Sequence, residues 1–297
     1  MTTPADTPDI MEKLGSSLIQ HGPANQRIYL MKLDRADLPD LPQNLIDFAR
    51  ARAYGKIFAV VPEETTPSFA VLNYQVEARI PGYFHGQSTA DLLACYLTPE
   101  RAQHDESETI AILKTAQEKA EQPTPPPPLP EGATLRAATP NDTPAMARLY
   151  RRVFETYPFP IHDPAYLLQT MKEHILYYGV WQNDRLLALS SAETRPETLS
   201  VEMTDFATDP EARGAALARH LLAHMDHELP AAGFRTAYTI ARAASHGMNI
   251  TFARGGYTFG GTLWNNTQIC GQLEHMNIWH KPLAIRRVTD TDGRVTP

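Results

Sequence analysis

Midway along the chain, eleven residues from Gln122 to Gly132 (QPTPPPPLPEG) carry six prolines. Each proline lacks a backbone N–H and holds φ at about −65°, so the stretch suits neither a helix interior nor a sheet ladder and favours an extended polyproline form. That break divides the 297 residues into a unit over 1–121, a linker over 122–132 and a second unit over 133–283, with 284–297 expected as a flexible tail. With 42% hydrophobic residues the chain is long enough for two domains.

The second unit alternates strand and helix patterns. LRAA (Leu135 to Ala138) reads as a strand, and Asn141, Asp142 and Thr143 are placed to cap a helix running to Phe154. YYGVWQNDRLLALSSAE reads as a hairpin turning at Asn183 and Asp184, and LSVEMTDFATD as a third strand. A helix begins within PEARGAALARHLLAHM (Pro210 to Met225), RTAYTIA is a strand, and HGMNITFARGGY is a helix closed by Gly255 and Gly256. FGGTLWNN and MNIWHKPL are the last strands, which makes the fold class α/β with a mixed (α+β) sheet.

The first unit has a related rhythm. GSSLIQHG, RIYLMKL and KIFAVVP read as strands and NLIDFARARAYG as a helix, with TPSFAVLNY, EARIPGYF and DLLACYLT following. Ile110, Ile112, Leu113 and Ala116 give a helical period that is expected to close this unit. Its AYGKIFAVVPEETTPSFAVLNYQVEARI repeats the order of AGFRTAYTIARAASHGMNITFARGGYTFGGTL in the second unit.

Composition removes several function classes. A net charge of −7 without a Lys/Arg cluster argues against a nucleic-acid or anionic-membrane surface, so partners are expected to be small molecules. No apolar run approaches the roughly 20 residues of a spanning helix. The start, MTTPADTPDI, has neither a basic nor an apolar leader region, so a cytoplasmic chain is expected. Cys95 and Cys270 form no CxxC, and His220, His224 and His227 read as a solvated helix face, so no metal is expected. NNT (Asn265 to Thr267) matches a glycosylation acceptor that a cytoplasmic chain would not use.

The stretch from Pro210 to Met225 raises a chemical question, because its helix starts behind Arg-Gly-Ala-Ala with no capping side chain. A bare helix N-terminus offers unpaired N–H groups and the positive end of the helix dipole, a natural seat for an anion such as pyrophosphate. Arg213, Gly214, Ala215, Ala216, Leu217 and Ala218 fit an RxxGxG pattern with alanine at both later glycine positions.

With the strand before it and Asn249 and a Gly-Tyr close after it, this unit resembles the GNAT acyltransferase superfamily over roughly Thr134 to Leu283. Over nearly the whole chain it resembles more closely the beta-lysine N-acetyltransferases. The shared phrases are SLIQHG, RIYLMKL, EMTDFAT, AYTIARA, GMNITFA, GGTL, NNT and MN followed by tryptophan and KPL. The resemblance implies that Arg213, Gly214, Ala215, Ala216, Leu217 and Ala218 hold the pyrophosphate of acetyl-CoA. It also implies that Ala207 and Thr208 pair with the pantetheine arm and that Asn249 lines the same cleft. The first unit holds Asp34, Asp37 and Asp40 where the second has its loop, and acids repel pyrophosphate. It is therefore expected to be a degenerate GNAT-like half-domain that completes a surface or lids the acceptor pocket.

The chemistry then assigns further candidates. An alkylammonium with a pKa of about 10.4 must lose a proton before it attacks a thioester, and a nearby carboxylate is the usual helper. Glu202, on the strand entering the loop, is the candidate base. Asp205 ranks second, since alternation turns it to the other face unless a bulge intervenes. A beta-lysine acceptor needs anions for its β-ammonium, from among Glu202, Asp205 and Glu274, and a cation for its carboxylate, Arg242. Phe252 stands where many family members carry the tyrosine that protonates the leaving thiolate, and is expected only to pack on the cofactor. Tyr238 or water then supplies the proton. Transfer to another amine (lysine, a polyamine or a protein lysine) and a non-catalytic acyl-CoA sensor are the competing readings, and a homodimer is left open.

Overall fold

The computed structural model describes residues 9–121, 124–155, 157, 159–269 and 272–284; Cys270 and the expected tail beyond 284 lie outside them. In chain order the first half contains β1 (Ile10–Leu14), β2 (Ser17–Gly22), β3 (Arg27–Lys32), α1 (Leu41–Ala51), β4 (Lys56–Pro62) and α2 (Thr66–Ala70). It continues with β5 (Gln75–Phe84), β6 (Ser88–Tyr96), α3 (Pro99–Ala102) and α4 (Ser107–Ala120). The second half contains β7 (Ala133–Ala137), α5 (Thr143–Val153), α6 (Pro164–Glu173), β8 (Ile175–Gln182), β9 (Arg185–Arg195) and β10 (Ser200–Thr208). After these come α7 (Leu217–Glu228), β11 (Thr236–Arg242), α8 (His246–Arg254), β12 (Thr258–Ile269) and β13 (Gln272–Pro282).

All thirteen strands form one sheet in the order β1-β2-β3-β4-β6-β5-β12-β13-β11-β10-β9-β8-β7. Counting outward from the joint between β5 and β12 gives the same plan twice. Each half has an antiparallel pair, then a parallel pair flanking a helix (β4 with β3, β11 with β10), then further antiparallel strands. The repeated order read in the sequence is thus a repeated topology, with β7 added at one edge. α6, β1 and the docking of the linker were not anticipated. Asp163 accepts from the Ala165 N–H at 2.9 Å ahead of Pro164, an ordinary helix start that marks α6.

At the joint, the backbones approach too closely for side chains. A Cβ on Gly260 would lie 2.4 Å from the Arg79 carbonyl oxygen, and one on Gly261, at φ +137°, 2.2 Å from that of Glu77. The GGTL phrase therefore lets the halves pair. Just beyond, β12 bulges between Leu263 and Thr267, leaving carbonyls without ladder partners. Three buried cations of the first half reach them. Lys56 Nζ donates to the Trp264 carbonyl at 2.6 Å, Arg101 Nε to that of Asn265 at 2.8 Å, and Arg27 Nη1 to that of Asn266 at 2.6 Å. Asn265 and Asn266 of the NNT phrase are thus structural.

On one face of the sheet, Val201, Met203 and Trp279 pack with Leu217, Leu221 and Met225 of α7 and Phe252 of α8. On the other, α5 and α6 cover β8 to β10 through Met146, Tyr150, Leu167, Tyr177 and Leu189. There, too, Phe58, Ala78, Ile80 and Tyr83 meet Tyr238, Leu263 and Ile278 in a core spanning the joint. α4 does not close the first half: Ala116 is buried in the core of α7 and α8 instead, with Leu113 and Ala120 against it. The linker docks there as well, with the Thr124 and Pro127 carbonyls meeting Arg219 and His220 of α7. His224 packs edge-on against Tyr178, so the histidine face is partly covered by these contacts and not wholly solvated.

Candidate active site

β10 and β11 run parallel and pair only from Ser200–Thr236 to Glu202–Tyr238, although both strands continue, to Thr208 and Arg242. Beyond Glu202 the strands part. Ala207 and Thr208 pair with Leu189 and Ala188 of β9 on one side and, among the described residues, have no ladder partner on the other.

The root of the following loop is anchored. Asp209, only 2% exposed, accepts from Arg152 at 2.9 Å, Arg185 at 2.7 Å and the Glu211 N–H at 3.1 Å. After the short turn Pro210–Ala212, Arg213 is extended, Gly214 has φ +90° and Ala216 sits in the left-handed region at φ 53°, ψ 30°. An alanine in that region costs roughly 1–2 kcal/mol, a strain that accompanies functional backbone more often than idle backbone. Ala216 is the N-cap of α7 and supplies no side-chain cap. Among the described residues, the N–H groups of Gly214 to Ala218 have no backbone acceptor. Arg213 is exposed, and Arg219 and Arg254 lie near enough for burial and their mutual repulsion to hold Arg219 below its ordinary pKa. Unpaired donors, three guanidiniums and an open strand edge fit a long anionic thioester.

On the face opposite α7, alternation brings out Glu202 and Thr204. The β9–β10 register slips between Thr204 and Ala207, and Asp205 has φ 53°. This bulge turns Asp205 onto the Glu202 face, contrary to simple alternation. Its carboxylate accepts from Ser191 at 2.7 Å and from the Tyr157 hydroxyl. Burial raises the Asp205 pKa against those hydrogen bonds. Directly across from Glu202 on β9 stands Glu193, and two residues on, Arg195 donates through Nη2 to Glu193 at 3.0 Å and through Nε to the Tyr238 hydroxyl at 3.0 Å. Burial, then Glu193, pushes Glu202 up to about 8, with Arg195 and the nearby Tyr238 hydroxyl opposing. Burial holds Tyr238 well above the usual tyrosine range. Tyr29 of β3 and Tyr83 of β5 bring the first half to the same place. The Tyr83 and Tyr238 rings are 5.4 Å apart, and Arg195 and Glu202 both act on Tyr29.

Other expected site residues lie elsewhere. Asn249 is fully buried: its Nδ2 donates to the Arg242, Ala243 and Ser245 carbonyls, and its Oδ1 accepts from Asn277 and Trp279. It ties β11 to α8 and β13, so the expectation that its side chain lines the cofactor cleft is corrected. Phe252, 1% exposed, packs between Phe206 and Tyr257 and so belongs to the core. Arg242 and Glu274 are bound to each other at 2.7 Å at the far end of β11, four residues past Tyr238 and so about 13 Å along the strand. They do not join the Glu202 cluster. Arg195 is the guanidinium that does, and it and Glu193 were missed because they lie on the preceding strand. Counting back across the turn from Ser200, which pairs with Arg195, finds both.

A sheet split beside a bare, glycine-turned helix start, with carboxylates at the fork, fits the class of acyl-CoA-dependent transferases. Residues 143–254 match the acetyltransferase (GNAT) family, and the chain belongs to that family. It is 34% identical over 274 residues to the beta-lysine N(6)-acetyltransferase of Methanococcus maripaludis, covering 91% of this chain and 99% of that one. It is 35% identical over 273 residues to the N-acetyltransferase YodP of Bacillus subtilis, covering 90% and 96%. A beta-lysine N(6)-acetyltransferase of Methanosarcina mazei is 41% identical over 155 residues, 52% of this chain and 57% of that one. The first two matches run through both halves of the sheet.

Proposed function

We propose that this chain transfers acetyl from acetyl-CoA to the ε-amine of beta-lysine, in a ternary complex at the fork between β10 and β11. The observation that carries the reading is the placing of Glu202 and Tyr238 at the last paired position before the strands part, on the face away from the anion-seating loop. Bound acetyl-CoA would supply an activated acyl group. The N–H groups from Gly214 to Ala218, with Arg213, Arg219 and Arg254, hold its phosphates, and the open edge at Ala207 and Thr208 pairs with its amide arm.

Glu202 removes the proton from the ammonium. At its ordinary value of 4.5 a carboxylate lies almost 6 pK units below an alkylammonium; pushed up to about 8 it closes the gap to roughly 2.4 units, about 3 kcal/mol. The freed amine forms the C–N bond, the C–S bond breaks, the thiolate takes a proton, and the second proton lost from the nitrogen restores the donor. Tyr238, which keeps its proton at neutral pH beside Glu202, is the donor in the site, with water as the competing source. Asp205 and Glu193 are available to the second ammonium.

Release of free thiol from acetyl-CoA, measured with beta-lysine, α-lysine and spermidine offered separately, tests the reading. Preference for beta-lysine is expected, and turnover with spermidine or a protein lysine in its place overturns it.

A further inference from the structure

We infer that Arg195, walled by Tyr29 and Tyr83 of the N-terminal half, is the clamp for the acceptor's carboxylate and sets the choice of an amino acid over a diamine without one. This rests on the acetyl-transfer reading above.

The geometry is that of a fork with one prong held back. The Arg195 side chain is 14% exposed. Its Nε and Nη2 are committed to Tyr238 and Glu193, while Nη1 has no protein acceptor among the described residues. Neither is it a buried orphan, so it reaches the solvent side of the site. Two held donors fix the plane of the guanidinium and leave the third for a carboxylate oxygen.

Charge supports the same assignment. Glu193, Glu202 and Asp205 meet one guanidinium here. Carboxylates alone would serve an acceptor that carries only ammonium groups, and a largely desolvated arginine among them would repel it. Two ammonium groups and one carboxylate complement the cluster. Arg242 cannot take this part, being spent on Glu274 at the strand end.

The first half completes the wall. Thr236 Oγ1 donates to the Gly82 carbonyl at 2.6 Å and the His85 N–H to that of Thr198 at 2.6 Å, pinning the β5–β6 hairpin over the start of β10 and β11. Tyr83, on that hairpin, sets its ring 5.4 Å from that of Tyr238, and Tyr29 lies tilted against Phe58 with rings 4.6 Å apart. The half without an anion loop thus supports the group that reads the acceptor.

The test compares kcat/KM for beta-lysine with that for pentane-1,4-diamine, which keeps both amines at the same spacing and lacks the carboxylate, using the full chain. The wild type is expected to favour beta-lysine by on the order of 100-fold. In Arg195→Gln the ratio should fall close to one, through KM for beta-lysine, and Arg195→Lys should recover part of it. Rates are compared on the alkaline plateau of each variant, because losing Arg195 also raises Glu202. Equal slowing of both acceptors, with the wild-type ratio kept, overturns the clamp and makes Arg195 a support for Glu202 and Tyr238 only. A measurement on the wild type alone guards against a variant that does not fold: the methyl ester of beta-lysine should be about as poor an acceptor as the diamine, and parity of ester with acid overturns the clamp. A wild type that acetylates α-lysine or spermidine but neither beta-lysine nor the diamine removes the acceptor reading and the clamp with it.

Discussion

The two halves each send a strand into a helix and back to a parallel neighbour, and neither helix start has a side-chain cap, but the segments that lead into the two helices differ. In the N-terminal half the segment between β3 and α1 carries Asp34, Asp37 and Asp40, and Asp37 turns inward to accept from the N–H groups of Ser16 and Ser17 and the Ser17 hydroxyl. In the C-terminal half the segment before α7 carries no acid after Glu211, holds two residues at positive φ, and among the described residues finds no backbone acceptor for its N–H groups from Gly214 on. One copy spends its carboxylates on the backbone of its own turns, Asp37 on Ser16 and Ser17 and Asp34 on Ala36. The other, in the proposed reading, keeps its donors for a ligand's phosphates, with Ala216 at positive φ. A single topology therefore yields a scaffold in one place and a binding site in the other, and a few side chains decide which.

The comparison is most exposed at the fork. Glu202→Gln is expected to lower kcat by 10²- to 10⁴-fold while acetyl-CoA still binds by calorimetry, the range for losing a general base. In the wild type, kcat/KM should rise with pH up to about 8 as Glu202 loses its proton among Glu193, Asp205, Arg195, Tyr29, Tyr83, Tyr157 and Tyr238. Stability should run the other way. A carboxyl whose folded pKa is raised is fully tolerated below its ordinary value, and stability declines as pH climbs through about 8. Glu202→Gln should therefore raise Tm, most above pH 8, and a flat difference with pH would count against a buried, raised Glu202.

Next in size is a transplant from one half to the other. Ala216→Asp puts an acid at the start of α7, where it can cap the free N–H groups and repel phosphate. Affinity for acetyl-CoA should fall about 10-fold or more, with Tm unchanged or higher. Unaltered affinity would mean that the phosphates sit elsewhere. Gly261→Ala attacks the joint: a Cβ 2.2 Å from the Glu77 carbonyl should part β5 from β12 and lower Tm by several degrees, and calorimetry showing an unchanged transition would break the account of the joint. The smallest effect belongs to Asp37→Ala, which loses the bonds to Ser16 and Ser17. It should lower the urea unfolding midpoint slightly and leave KM for acetyl-CoA where it was.

Much of this was legible in the chain. Asn183 and Asp184 both adopt the positive φ that a two-residue hairpin turn requires, and the alternation of Val201 and Met203 against Glu202 gives the two faces of β10. The bare start of α7 was readable because absence of a cap is a property of neighbouring residues. What escaped depends on partners distant in sequence. Asn249 looks like a cleft residue until Asn277 and Trp279 arrive from β13 to take its oxygen. Arg242 looks free until Glu274 binds it, and α4 looks like part of the first half until α8 covers it. The bulge at Asp205 leaves no mark that alternation alone can read.

The most direct test is to incubate the purified chain with acetyl-CoA and beta-lysine and identify the product by NMR, with the Glu202→Gln protein alongside. One acetyl group on the ε-nitrogen for each thiol released, and next to none from the variant, is the predicted result. Acetyl on the β-nitrogen, or an untouched rate in the variant, would contradict it.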